Sequence, residues 1–330
     1  MQKQENPLLS IIIVNYNVKE ELLNCIQSIK DTIDSDDHTV SYEVIISDNG
    51  SVDGSVKAVQ ERFPWVIIVK NNDNLGFGKA NNIGAKQSKG RILCFLNPDT
   101  LVKDGIKNMI QYLLTNPEVG LVSPLVYEAD GKTIAYLYKP VYFHFMLQLL
   151  DLFFTPIVRT LYTYKRYNQK KNILKKKPFE AELIHGCIML LRKEVFNQIG
   201  GFDDNIFMYG EETDMWFKLK KLKYKIMIYP NASILHLGSK AVGKIPKIFT
   251  ETRGAQALKY LFKKYFPFTW YIRYFIELLS QGRQILSAYT TAGLYFILKK
   301  NYTQCLFNAK KHTIKFNTFY KVLTNKTLTG

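Results

Sequence analysis

The amino-acid sequence predicts an α/β protein: a mostly parallel β-sheet flanked by helices, followed by a helical, basic and aromatic C-terminal extension. Three observations carry this. Short β-branched runs alternate with stretches of helical periodicity over the first hundred residues. Those runs are apolar throughout instead of alternating with polar residues, as in strands covered on both faces. From about residue 252 onward the chain has helical patterning rich in Phe, Tyr, Trp, Lys and Arg.

The elements follow in order. SIIIVNYN (Ser10–Asn17) predicts a first buried strand. Leu22, Leu23, Ile26, Ile29 and Ile33 then recur at helical spacing over residues 19–33. YEVIISD (Tyr42–Asp48) predicts a second strand, Ser55–Phe63 a helix and WVIIVKN (Trp65–Asn71) a third strand. A helix over Gly78–Ser88 and an apolar strand RILCFLN (Arg91–Asn97) complete a β-α-β-α-β-α-β order. In such sheets ligands bind beyond the carboxyl ends of the strands. Residues 141–163 are apolar but are interrupted by His144, Asp151, Pro156 and Arg159. That pattern fits an interfacial segment better than a transmembrane span. Residues 181–239 return to mixed globular sequence.

The composition is that of a folded globular chain, with 330 residues, 47% of them hydrophobic and 22% charged. The net charge of +17 is uneven: −5 over residues 1–130, +8 over 131–180, zero over 181–239 and +14 over 240–330. Basic segments interleaved with aromatics suit an anionic membrane surface or a nucleic acid; a solvated basic face is the plainer reading. Cys25, Cys94, Cys187 and Cys305 show no metal-finger or disulfide spacing, and the N-terminus lacks the apolar core of a signal peptide. The expected compartment is a reducing cytoplasm.

Three polar clusters fall where strands end. In SDNGSVDGS (Ser47–Ser55), Asp48 is placed to accept hydrogen bonds from a base or a ribose, or to form a simple turn. In NPDT (Asn97–Thr100), Asp99 is a sensible anchor for a divalent cation on a diphosphate, although N-P-D is also turn chemistry. In GGFDDNIFMYGEETDMWFKLKK (Gly200–Lys221), Glu211, Glu212 and Asp214 open a helix. Carboxylates there favour the helix dipole, and one with a raised pKa would also serve as a general base. His236 ends the apolar run of SILHLGS, where it is a structural histidine or a metal ligand.

SIIIVNYN, VIISDNGSVDGS, NNDNLGFGKANNIGAKQSKGRILCFLNPDT, HGCIMLLRKEVFNQIGGFDDNIFMYGEETDMW and ILHLGS occur in that order with ordinary spacing. Together they resemble glycosyltransferase family 2, nearest its bacterial rhamnosyltransferase-like branch, over roughly residues 8–240. The resemblance implies a GT-A nucleotide-diphospho-sugar transferase fold and an inverting single displacement. It implies that Asp48 binds a uracil or thymine base and that Asn15, Asn74, Gly76 and Asn82 stand near the donor. Asp99 matches the residue that closes the D-x-D-like motif on Mg²⁺ or Mn²⁺. Asn97 stands where that motif has its first carboxylate. Glu211–Glu212 match the family's E-D pair, giving Glu212 the place of the general base, with Glu211 and Asp214 as rivals. His236 matches a histidine that completes the metal site in some members.

A dinucleotide-dependent oxidoreductase is excluded by the first strand–helix turn, NYNVKE, which has no glycine. A Walker-type phosphate loop is also missing from the sequence. A non-catalytic basic protein that binds nucleic acid or membrane remains the alternative. The expected organisation is a catalytic domain over 1–240, made of a donor half (1–130), a basic-aromatic insertion (131–180) and an acceptor and metal half (181–240). Residues 241–330 are expected to associate with membrane or to self-associate as a homo-oligomer. The expected partners are a nucleotide-sugar donor, a saccharide or lipid-linked saccharide acceptor and an anionic membrane surface, with no nucleic acid among them. The corresponding location is the inner face of the cell membrane, held peripherally by residues 141–177 and 255–300.

Overall fold

The computed structural model describes residues 6–35, 40–135, 155–182, 184–238, 247–297 and 303–324. The segment 141–154 and residues 239–246 fall outside these, and so do the sequence expectations placed on them. The strands are β1 (Leu9–Asn15), β2 (Tyr42–Asp48), β3 (Ile67–Lys70), β4 (Ile92–Leu96), β5 (Thr100–Asp104), β6 (Val119–Tyr127), β7 (Phe179–Glu180), β8 (Ile188–Arg192) and β9 (Lys225–His236). The helices are α1 (Lys19–Asp34), α2 (Ser55–Arg62), α3 (Phe77–Gln87), α4 (Ile106–Thr115), α5 (Thr155–Leu174), α6 (Lys193–Gln198), α7 (Glu211–Lys221), α8 (Lys247–Tyr265), α9 (Trp270–Ile297) and α10 (Thr303–Thr324).

The predicted alternation over the first hundred residues stands, with shifts at the strand ends. Tyr16 and Asn17 leave the first strand, and Asn17 takes a left-handed φ of 55°. Trp65 packs edge-on against Tyr42 and Phe63 instead of entering the third strand.

One sheet has the order β3-β2-β1-β4-β8-β6-β9-β5, with β7 added on β9. The half read from the sequence, β3-β2-β1-β4, is wholly parallel. Beyond β4, β8 runs antiparallel to both its neighbours, β6 and β9 are parallel, and β5 and β7 run antiparallel to β9.

The core forms on both faces of this sheet because successive side chains point to opposite sides. Ile11, Ile13, Val44, Ile46, Cys94 and Leu96 join one cluster with Leu22, Ile26 and Ile29 of α1 and Met109 and Leu113 of α4. Ile12, Ile45, Leu93 and Phe95 join the other with Phe196, Phe202, Met215 and Trp216. Full burial of each such side chain contributes about 1.5–3 kcal/mol.

Two compact units are formed, one by the described residues of 1–139 and 165–244, the other by those of 140–164 and 245–330. The second unit is organised by α8, α9 and α10. Its most buried large side chain, Tyr274, stacks on Phe319 at 5.5 Å and donates to that residue's carbonyl at 3.2 Å. Lys259 donates to the Val322 carbonyl at 2.6 Å, near the C-terminal end of α10. No described helix is long and apolar enough to cross a membrane.

Candidate active site

Strand register brings the polar clusters to one edge. Asn15 and Asp48 end β1 and β2 opposite each other, and Leu96 ends β4 two residues earlier in the β1 register, opposite Ile13. β8 is antiparallel, so it begins at this same edge, Ile188 lying opposite Leu96. β9 ends there too, with His236 opposite Thr100. The edge is the carboxyl edge of the parallel half, where the crevice of such sheets lies.

At one end of the crevice, Asn15 is fully buried. Its side-chain amide donates to Asp48 Oδ1 at 2.7 Å and contacts the Ser51 and Ser55 hydroxyls at 3.0 and 2.8 Å. Asp48 Oδ2 accepts the Ser51 amide at 3.1 Å. The turn reading of Asp48 is therefore fulfilled, yet a carboxylate has about four lone-pair positions and keeps capacity for a further donor. Next to it, the Asn74 side chain accepts from the Gly76 amide at 3.1 Å, and Asn49 donates to Asn74 and to the Gly76 carbonyl. Gly76 is held at φ 82°, ψ −176°, and a Cβ built there would lie 2.2 Å from the Phe207 carbonyl oxygen. The Phe77 amide donates to that same carbonyl. Only glycine fits this backbone and this approach. Asn82 lies beyond it: its amide donates to the Phe202 carbonyl and Asp204, and its oxygen accepts from the Phe202 amide. These bonds fasten α3 to the 202–204 loop.

At the centre, Asp99 rides on the turn its sequence suggested, with the Thr100 amide donating to the Asn97 carbonyl. The Asn97 amide donates to the Cys187 carbonyl at 2.8 Å. Asp99 is buried and its Oδ2 lies 3.3 Å from His236 Nε2. The residue that the sequence reading missed is His185. Its ring meets that of His236 edge-to-face, with centroids 4.8 Å apart, and its Nδ1 accepts the Cys187 amide at 3.3 Å. That bond leaves the ring proton of a neutral imidazole on Nε2. The only sequence signal was its place directly before the strand run CIMLL.

The three carboxylates of α7 are separated by the helix. Asp214 is buried and pairs with Lys218 one turn on, at 2.8 Å. Glu211 turns inward, packing on the first turn of α3, where its Cγ would lie 3.7 Å from a Cβ on Gly78. Glu211 is 5% exposed, and its Oε1 has no hydrogen-bond partner. Burial first, and then the charge of Glu212, push its pKa up to about 8 against the backbone amides of residues 209–211. Glu212 takes the other direction and is half-buried: its Oε2 would lie 3.6 Å from a Cβ on Gly186. The His185–Gly186–Cys187 turn thus touches His236 through the His185 ring and the Glu212 carboxylate at Gly186.

Among the described residues no cluster of three or more His, Cys, Asp or Glu is poised around one point as a metal cage. One carboxylate and one imidazole at adjacent strand ends suit a cation that takes the rest of its shell from water and a phosphate-bearing ligand.

Comparison with known proteins gives the family and the fold. Residues 10–200 match glycosyl transferase family 2, and residues 171–240 match a family described as the N-terminal domain of galactosyltransferase. An N-acetylglucosaminyl-diphospho-decaprenol L-rhamnosyltransferase of Mycobacterium tuberculosis is 28% identical over 217 residues, covering 62% of this chain and 69% of that one. The amylovoran biosynthesis glycosyltransferase AmsE of Erwinia amylovora is 25% identical over 247 residues, covering 72% and 79%. Among solved structures, mannosyltransferase PcManGT from Pyrobaculum calidifontis, in complex with GDP-Man and Mn²⁺, superposes with a TM-score of 0.59 at 17% identity, over 98% of this chain and 89% of that one. GalNAc-T7 with UDP, GalNAc and Mn²⁺ gives 0.55 at 14%, over 99% and 59%. The fold is the GT-A fold of these transferases.

Proposed function

The chain belongs to glycosyltransferase family 2 and is a nucleotide-sugar-dependent glycosyltransferase of polysaccharide or glycolipid synthesis, and we propose that it performs a metal-dependent, inverting transfer onto a lipid-linked saccharide. The observation that carries this is that one short turn, 185–187, contacts both Glu212 and the His236 of the Asp99–His236 pair.

In this reading Asp99 and His236 hold a divalent cation, Mn²⁺ or Mg²⁺. When bound, the cation supplies charge neutralisation for the departing diphosphate. Mn²⁺ is the ion in both solved transferases compared above. The Asn15–Asp48 frame receives the nucleobase, uracil or thymine, and the Asn74–Gly76 loop borders the donor. The acceptor hydroxyl attacks the anomeric carbon from the face opposite the diphosphate. The new C–O bond forms as the bond to the diphosphate oxygen breaks, and Glu212 accepts the hydroxyl proton. Burial and the neighbouring Glu212 charge raise the pKa of Glu211, which favours its protonated form and leaves Glu212 as the acceptor of the pair. No covalent sugar–enzyme intermediate is required. A decaprenol-linked acceptor is named for the mycobacterial relative, which supports an acceptor carried in a bilayer and an enzyme held peripherally at the inner face of the cell membrane.

The experiment is a nucleotide-sugar screen by thermal shift and turnover, with and without Mn²⁺, on wild type and Asp99→Asn. A correct donor at about 100 times its Kd stabilises the wild type by about 2.7 kcal/mol. Asp99→Asn is expected to lose the metal-dependent part of that shift and to lose turnover while keeping its fold. Wild-type turnover in this variant with Mn²⁺ or Mg²⁺ refutes the metal assignment.

A further inference from the structure

The helix α9 buries Tyr274, Ile276 and Leu278 together with polar side chains and leaves a stripe of large apolar ones exposed. The side it turns into the helical unit carries Arg273, Glu277 and Gln281, all buried, with Gln281 donating to Glu277 at 2.6 Å and Arg273 lying over the Phe266 ring at 3.7 Å. The opposite side carries Tyr271, Ile272, Phe275, Leu279, Leu286 and Tyr289, all exposed. At about 100° per residue these six fall within an arc of about 100°, and at 1.5 Å per residue they extend over about 27 Å. Gly282 shares the arc, where a Cβ would meet the Phe316 ring of α10 at 3.6 Å, and none of these seven residues is charged. At the start of the stripe Phe268 is 98% exposed, a few residues after the exposed Lys263 and Lys264. A contiguous apolar stripe of this length on a soluble surface marks a contact with something apolar.

We propose that this outer face of α9 is the surface by which the enzyme docks on an anionic lipid bilayer, lying in the headgroup layer. The proposal rests on the reading that the acceptor is lipid-linked and goes beyond it in assigning the surface. Charge chooses the occupant. Residues 240–330 carry a net charge of +14, and Lys310 and Lys311 are exposed beside Phe307 and Ile314 on α10. Such a surface is attracted to anionic lipid, whereas pairing it with a second copy would bring two strongly positive surfaces together. No described helix has the length and apolarity of a membrane span, so the stripe lies along the interface and does not cross it.

The test is vesicle sedimentation with full-length protein, comparing phosphatidylglycerol–phosphatidylcholine vesicles with phosphatidylcholine alone. Wild type is expected to bind the anionic vesicles and to be released as salt rises. Because the mutated side chains are exposed, the triple variant Phe275→Ser, Leu279→Ser, Leu286→Ser is expected to keep the wild-type melting temperature. Its partition onto anionic vesicles should fall about 100-fold, and that of Leu286→Ser alone about 5-fold, taking each side chain as partly buried in lipid. Donor hydrolysis in solution should be unchanged in both. Wild type failing to bind anionic vesicles overturns the proposal, as does a triple variant that binds as well as wild type. A wild-type dimer that the triple variant converts to monomer, with no vesicle binding by either, assigns the stripe to self-association and also overturns it. Loss of the transferase reading would show instead as absent donor turnover, whatever the vesicles report.

Discussion

The raised pKa of the buried Glu211 carboxyl makes stability depend on pH. This carboxyl titrates near 8 in the folded chain, against an ordinary value of 4.5. Between these values the folded state holds a proton that the unfolded state has released. Stability must therefore fall as pH rises from about 4.5 to about 8, by at most about 1.4 kcal/mol per pH unit, and level off above. The full descent is up to about 4–5 kcal/mol, a large part of the stability of an ordinary domain. The lowered carboxyls Asp53 and Asp130 act below this window, and the raised groups Cys25, Cys94 and Tyr42 act above it. The perturbation is Glu211→Gln, which keeps the side chain's shape and removes its titration. Urea unfolding at intervals from pH 5 to 9 should show a descending limb in wild type and a flat profile in the variant, which becomes the more stable protein at pH 8. Glu212→Gln removes the neighbouring charge that helps raise Glu211, so it should end the descent at lower pH. A flat wild-type profile between pH 5 and 8, or a slope that survives Glu211→Gln, refutes the assignment of a buried, protonated Glu211.

Gly76→Ala forces a side chain into a backbone region open almost only to glycine and against the Phe207 carbonyl. It should cost at least about 2 kcal/mol in urea unfolding and weaken donor binding, while Gly131→Ala, at a site with open space, should cost less. His185→Ala removes the ring packed against His236 and should raise the Mn²⁺ concentration needed for half-maximal donor binding by about 10-fold, as loss of an orienting neighbour does; an unchanged titration removes His185 from the site.

The parallel half of the sheet was legible because its strands are apolar on both faces and are separated by helices with clear periodicity. Asp48, Asp99 and the acidic run at 211–214 were legible for a related reason: a carboxylate at the end of such a strand, or clustered at a helix start, stands out against its surroundings. What was not legible depends on long-range register. β8 enters between β4 and β6 as an antiparallel strand, and nothing local to IMLLR specifies that partner. His185 reaches the site only through this insertion. Adjacent glutamates differ in surroundings because the helix turns Glu211 toward α3 and Glu212 toward the 185–187 turn, a phase the sequence alone leaves open. Nor does anything local to Asn82 show that its amide is engaged by the 202–204 loop, more than a hundred residues away along the chain.

The account stands most directly on Glu212 as the group that takes the acceptor proton. Single-turnover transfer by Glu212→Gln, Glu211→Gln and wild type, with donor affinity measured in the same Mn²⁺ buffer, isolates that step. The rate for Glu212→Gln should fall by at least about 100-fold with donor affinity unchanged, while Glu211→Gln, already neutral in wild type, stays within about 10-fold of it. The large loss appearing in Glu211→Gln while Glu212→Gln turns over normally would contradict the account.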